Sequence, residues 1–179
     1  MMRKLTHEEI VSRQKEKSSE QRLPFSVVLN NIRSLYNVGA IFRTADGAGV
    51  ERVWLCGITG HPPRHQIKKI ALGADEQVPW EYSSDVIKIL QGLKKQHYQI
   101  VLLEQTAQSV VYTAFEPQAP VCLVIGNEIE GISQTILSYC DAAIEIDMAG
   151  IKNSLNVAVA FGIAAYHIRR CLKEKMKCL

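Results

Sequence analysis

The 179-residue chain has no apolar run near the ~20 residues that a membrane-crossing helix requires, and its 47% apolar and 22% charged content suits a soluble globular domain. Its first residues, MMRKLTHEEIVSRQKEK, lack the apolar centre of a signal peptide, so a cytoplasmic location is expected. Cysteine pairs are missing as well. The five cysteines, Cys56, Cys122, Cys140, Cys171 and Cys178, are odd in number and never spaced C-x-x-C. That excludes a disulfide framework and a zinc ribbon and leaves reduced, mostly buried thiols. There is no internal repeat, low-complexity tract or linker to divide the core. A strong charge imbalance is also absent: the net charge is +3, although five bases and one acid follow from Arg169 to the end. Such a tail either meets phosphate or complements the dipole of a helix end.

What is present is an alternation of strands and helices. Thr6 with Glu9 forms a capping-box pattern ahead of an exposed helix running to near Arg22. SVVLN (26–30) reads as a buried strand, VGAIFRTADGAG as a helix and RVWLCGI as a second strand, a βαβ unit. ITGHPPRH is a loop by its glycine and paired prolines, IKKIALGA a short helix, and SSDVIKILQGLKKQ a helix behind serine caps. YQIVLLEQ and VCLVIGNE are strands, ISQTILSYC a helix and AAIEIDM a strand. NSLNVAVAFGIAAY then opens a last helix with Ser154 as its N-cap, and its alanines and Gly162 leave room for a neighbouring helix or a partner subunit. The expected fold is α/β, a mostly parallel sheet flanked by helices.

Several nucleotide motifs fail on inspection. GNEIEG has phosphate-loop spacing, but Ile132 stands where lysine is needed and its glutamates would repel a triphosphate. TADGAGVER places Arg52 where a dinucleotide fingerprint needs its third glycine, and its glycines end a helix. His61 and His65 flank two prolines as loop residues, not a zinc pair on one helix face, and no G-x-S-x-G elbow presents a serine nucleophile. Polar residues do gather where predicted strands end: Asn30 and Asn31, Asn127 and Glu128, and Lys152 to Asn156. In a parallel α/β sheet that edge is where ligands bind, and amides, a carboxylate and glycines there suit a neutral or cationic polar ligand.

Three stretches together resemble the SpoU (TrmH) class of RNA ribose 2′-O-methyltransferases in the SPOUT superfamily. They are NNIRSLYNVGAIFRTADGAGV, with the N-x-G-x-x-x-R-T-A part of that class's pattern, LVIGNEIEGIS, and IDMAGIKNSLNVAVAFGIAAY. The resemblance spans Phe25 to Tyr166, which makes residues 25–179 the methyltransferase domain and 1–24 a charged helical extension. It implies methyl transfer from S-adenosylmethionine to a ribose 2′-hydroxyl of tRNA or rRNA. It further implies a deep trefoil knot in the C-terminal half, which ordinary topology rules would not suggest, and a homodimer with active sites at the interface. The resemblance places the cofactor against backbone groups at Gly126, Ile146 and Leu155, with Met148 beside them. It assigns the chemistry to Asn37, Arg43, Glu128, Ser154 and Asn156, without a metal. Arg43 would clamp substrate phosphate and polarise the 2′-oxygen; Asn37, Ser154 and Asn156 would orient it and the ribose; Glu128 would hold a neighbouring group. Asp147 departs from the class, which often has proline there.

No separate RNA-binding domain is expected. RNA contact therefore falls to the N-terminal segment, to Arg64, Lys68 and Lys69, and to the basic tail. Two other readings carry the same three motifs: a catalytically silent RNA-binding dimer of this fold, and a relative that methylates a base.

Overall fold

The strand predicted at 26–30 is β1, Leu23–Asn30, and it is buried along nearly its whole length. A run with no polar alternation must be covered on both faces. The computed structural model, which describes residues 2–18, 22–127 and 131–177, covers it that way. β1 pairs in parallel with β2, Val50–Cys56, on one side and with β6, Val121–Ile125, on the other. β3, Trp80–Ser83, extends the sheet beyond β2. β4, Gln99–Leu103, β7, Ala142–Glu145, and β5, Val110–Val111, extend it beyond β6. The order is β3-β2-β1-β6-β4-β7-β5, and every pairing is parallel.

One face carries α2 (Leu35–Ala48), α3 (His65–Ala71), α4 (Ala74–Gln77) and α7 (Val157–Lys177). There Phe25, Val27 and Leu29 of β1 pack with Ile41, Phe42 and Phe161 in the main core. The opposite face carries α5 (Val86–Lys95) and α6 (Gln134–Leu137), where Val28, Cys122 and Val124 meet Leu90, Leu93 and Ile136. The α/β expectation therefore holds as a sheet between two helical layers.

α1, His7–Ser18, begins with the predicted box: Glu9 N–H donates to Thr6 Oγ1 at 3.2 Å and Thr6 N–H to Glu9 Oε2 at 2.8 Å. It stops short of Arg22. That side chain instead reaches Asp46 and the carbonyls of Val50 and Gln77. Gly49 ends α2 at φ 74°, as read for the glycines of TADGAGVER.

Several boundaries differ from expectation. The predicted IKKIALGA helix breaks in two, because Leu72 at φ 52° and Gly73 at φ 90° turn left-handed between α3 and α4. His65 is the first residue of α3, not part of the preceding loop. Asp85, not a serine, caps α5, its carboxylate accepting from the N–H groups of Ile87 and Lys88. The helix expected over ISQTILSYC is only the four residues of α6, because Asp141 is already drawn into the sheet by Ile100. β3 and β5 went unpredicted: they are edge strands of four and two residues, too short for a periodic signal. The last helix begins at Val157, so Ser154 lies in the loop before it and is not its cap.

Among the described cysteines, Cys56, Cys122 and Cys171 are buried and Cys140 is partly so. Burial pushes the thiol of Cys56 up to about 12 and that of Cys140 up to about 11, and holds Cys122 well above its usual value. They behave as small hydrophobes rather than nucleophiles.

Candidate active site

The C-terminal ends of β6, β4 and β7 open onto a cavity of about 620 Å³, large enough for a cofactor-sized molecule. Its walls come from three chain segments: Leu103 to Gln105 after β4, Ile125 to Asn127 with Gly131 after β6, and the stretch from Glu145 into α7. Six residues predicted from sequence line it: Gly126, Ile146, Met148, Ser154, Leu155 and Asn156.

Gly126 is there because nothing larger fits. A Cβ at that position would lie 2.7 Å from the carbonyl oxygen of Gly131 and 2.6 Å from Ile132 Cδ1. Gly131, at φ 64°, closes the turn back by an antiparallel bridge to Asn127, its N–H donating to Asn127 O at 3.1 Å. Glu128 lies outside the described residues.

The polar triplet before α7 divides its work. Asn156 caps the helix: its Oδ1 accepts from the N–H groups of Ala158 (3.0 Å) and Val159 (3.4 Å). Its Nδ2 donates to Asn37 Oδ1 at 3.1 Å. Asn37 sits in the first turn of α2, where its own N–H donates to the cap Ser34 Oγ at 3.3 Å. Two helix N-termini thus meet through one amide pair at the rim of the cavity. Asn156→Ala removes both the cap and the link, and should lower stability by ~1 kcal/mol and Tm by roughly 2–4 °C in a thermal melt. Asn156→Asp should restore most of that, and an unchanged Tm for the alanine variant would contradict the cap.

Arg43 is not brought to this cavity within the chain. Six residues after Asn37 on α2, it points to another face of the helix and is exposed. α7 packs against α2 at Gly162, where a Cβ would meet Thr44 in ordinary contact at 3.8 Å, so the approach does not require the glycine expected to make room there.

Sequence reading missed three groups at the site. Glu104 and Gln105 were read as the end of a strand, but β4 stops at Leu103 and both line the cavity. The strand-end rule that singled out Asn30 and Asn127 would have found them had the strand been read two residues shorter. Gln105 Nε2 donates to Asn153 O at 2.7 Å, tying the end of β4 to the loop before α7. Glu145, at the end of β7, also lines the cavity and accepts from Ser109 Oγ. No lysine, arginine or histidine lines the cavity among the described residues. Nor, among them, do three or more His, Cys, Asp or Glu side chains gather as a metal site.

Beside the cavity, Asn127 Nδ2 donates to Asn31 O at 2.9 Å. Asn31, left-handed at φ 60°, accepts from Ile58 N–H at 3.0 Å through its side chain. Thr59 Oγ1 donates to Leu29 O and accepts from Ile32 N–H. The loops after β1, β2 and β6 are therefore one hydrogen-bonded block.

Residues 24–166 match the model of the SpoU rRNA Methylase family. Over 148 residues the chain is 32% identical to the 23S rRNA (guanosine-2′-O-)-methyltransferase RlmB of Pectobacterium atrosepticum, covering 83% of the chain and 60% of that protein. The chain spans about 60% of the length of the RlmB relatives it matches. The crystal structure of the A. aeolicus TrmH/SpoU tRNA modifying enzyme superposes with a TM-score of 0.82 at 30% identity, over 94% of this chain and 85% of that one. The AdoMet-bound rRNA methyltransferase from Sinorhizobium meliloti superposes with a TM-score of 0.79 at 28% identity, over 87% and 60%. A family model that runs from the start of β1 into α7, with fold neighbours over most of the chain, makes this protein a member of the SpoU rRNA Methylase family.

Proposed function

We propose that this protein transfers the methyl group of S-adenosylmethionine to a ribose 2′-hydroxyl of structured RNA, transfer or ribosomal. The observation that carries the reading is the cavity itself. Its volume suits the cofactor, Glu104 and Glu145 give it acidic walls for a cationic ligand, and six of the motif residues line it. Relatives named for 2′-O-methylation of rRNA, and a fold neighbour with AdoMet bound, support the same assignment.

S-adenosylmethionine supplies a methyl group already activated by the positive charge on its sulfur. Gly126, Ile146 and Leu155 offer backbone groups to hold it, with Met148 alongside. The chain's remaining task is to place a ribose hydroxyl in line and stabilise negative charge as it develops there. Ser154, Asn156 and Asn37 are the positioning groups, and the N-termini of α2 and α7 add positive partial charge at the rim. Arg43 serves as a fork on substrate phosphate that also polarises the 2′-oxygen, a role its planar set of donors suits better than that of a base. Glu128 is assigned to hold a neighbouring group.

The working unit in this reading is a homodimer. Tyr36, 57% exposed, and Arg43 stand seven residues apart on one face of α2; Val159 and Tyr166, 51% and 50% exposed, stand seven apart on one face of α7. A Cβ on Gly47 would lie 2.8 Å from the Tyr166 hydroxyl, so the two helices present a joint surface. A second copy there would bury these apolar side chains and carry Arg43 to a cavity completed across the interface. A trefoil knot belongs to the same proposal, supported by three distant segments wrapped around one cavity and by the Gln105–Asn153 tie. The cytoplasm is the proposed location, and among the described residues no helix is long and apolar enough to cross a membrane.

A filter assay of labelled methyl transfer from S-adenosylmethionine to bulk RNA, followed by nuclease digestion and mass spectrometry of nucleosides, tests this. Label on the ribose is expected. Label on a base, or RNA binding with no transfer, would replace the assignment by one of the two other readings. Mapping 2′-O-methyl sites in RNA from a strain lacking the protein identifies the target.

A further inference from the structure

An aromatic cluster stands on the same sheet edge as the cavity, at its far end. His61 stacks on Trp80 with ring centroids 5.9 Å apart and planes at 23°, and tilts against Tyr82 at 4.9 Å and 44°. Trp80 and Tyr82 alternate along the edge strand β3 and so share a face. Tyr82 is 46% exposed, and its hydroxyl donates to Gly57 O at 2.9 Å, which fixes the ring. Ile58, in the same loop as His61, is 63% exposed.

Cations follow immediately: Arg64 and His65 are exposed, and Lys69 is exposed in the last turn of α3. Of the nearby acids, Glu76 is engaged by Lys68 at 2.9 Å, Glu81 by Arg52 and Asp85 by the N-terminus of α5, while Asp75 is buried with its Oδ1 unpartnered. The side chains of Arg64 and Lys69 have no hydrogen bond or ion pair among the described residues and are available to an anion.

We propose that this surface is a stacking platform for a base of the substrate RNA, held on Tyr82 and His61 while Arg64 and Lys69 take its phosphates. The inference rests on the RNA reading above and adds where a nucleotide flanking the target binds. Unstacked bases on aromatic side chains beside cations are the recurrent chemistry of single-stranded RNA recognition. From β3 to β6 is three strand spacings, ~14 Å, which puts the platform a few nucleotides from the cavity. Hydrogen bonds donated by Ile58 N–H to Asn31, by Ile32 N–H to Thr59 and by Asn127 Nδ2 to Asn31 O hold the platform in register with the cavity.

Anisotropy titration of a labelled single-stranded oligoribonucleotide and of bulk tRNA, at several salt concentrations, provides the test. Tyr82→Ala and His61→Ala should each raise Kd about 5- to 150-fold, the range for losing one base–aromatic stack, with little change in salt slope. Tyr82→Phe should keep affinity because it keeps the ring. Lys69→Glu should weaken binding and flatten the slope. S-adenosylmethionine affinity by calorimetry should be unchanged in Tyr82→Ala, which shows that the variant remains folded around the cavity. Unchanged RNA affinity in both alanine variants overturns the platform, as does unchanged RNA affinity with a shifted oligomeric state, which would make the surface a protein contact. If the wild-type protein binds RNA through this surface but transfers no methyl group, the methyltransferase reading fails and the platform stands.

Discussion

Arg43→Ala should leave S-adenosylmethionine affinity within about twofold of wild type while cutting methyl transfer by ~100-fold or more, the scale of losing one important catalytic group. The two effects separate because Arg43 does not line the cavity: it is exposed on α2, on a face rotated away from Asn37. Nothing in the fold depends on it, since its neighbours Phe42 and Ala45 make the core contacts of that helix. Arg43→Lys tests the role more finely. It keeps the charge but not the planar fork, so it should recover only part of the activity. Near-normal turnover in the alanine variant would sink the assignment. If dimerisation brings Arg43 to the cavity, a dimer-breaking Tyr166→Glu should also lower activity, and sedimentation would show the dissociation.

The second large effect is expected at Leu155. Its side chain lines the cavity from the loop before α7 and is 37% exposed, so enlarging it adds volume to the cavity without disturbing the core. Leu155→Trp should abolish cofactor binding in calorimetry, at least ~100-fold in Kd, because a rigid indole cannot be accommodated beside a ligand that fills the same space. The melting temperature should move little. Calorimetry showing wild-type affinity would place the cofactor elsewhere. The opposite wall gives an independent check: Gly126→Ala forces a Cβ against the backbone oxygen of Gly131, which cannot yield as a flexible side chain would. It should weaken cofactor binding less than Leu155→Trp, by distorting the wall instead of occupying the cavity.

Much of the fold was legible because burial leaves a simple mark on composition. Strands covered on both faces, such as VCLVI in β6, read as unbroken apolar runs, and α2 and α5 carry their apolar spacing in plain view, although Asp85 and not a serine caps α5. The edges were not legible. β3 and β5 owe their existence to a neighbour that offers hydrogen bonds, and WEYS or VV alone has no period long enough to mark a strand. The split between α3 and α4 was hidden for a related reason: Leu72 is no usual left-handed residue, and only the packing of α3 and α4 against α2 selects that conformation.

For the site, the second and third motifs named six residues that line one cavity, whereas Asn37 and Arg43 of the first do not line it. By itself the sequence determined the layered α/β plan, the mostly buried cysteines and the polar residues at the strand ends, since these follow from residue type and local spacing; the family was legible through the resemblance of three ordered motifs. Only the tertiary structure decided that Asn156 and not Ser154 caps α7, that Glu104 and Gln105 belong to the cavity, and that Arg43 stands apart from it. Those outcomes depend on which chain segments, up to 119 residues apart as in the Asn37–Asn156 pair, come within hydrogen-bonding distance. Spacing along the chain does not encode that; the pairing of strands and the packing of α7 on α2 do.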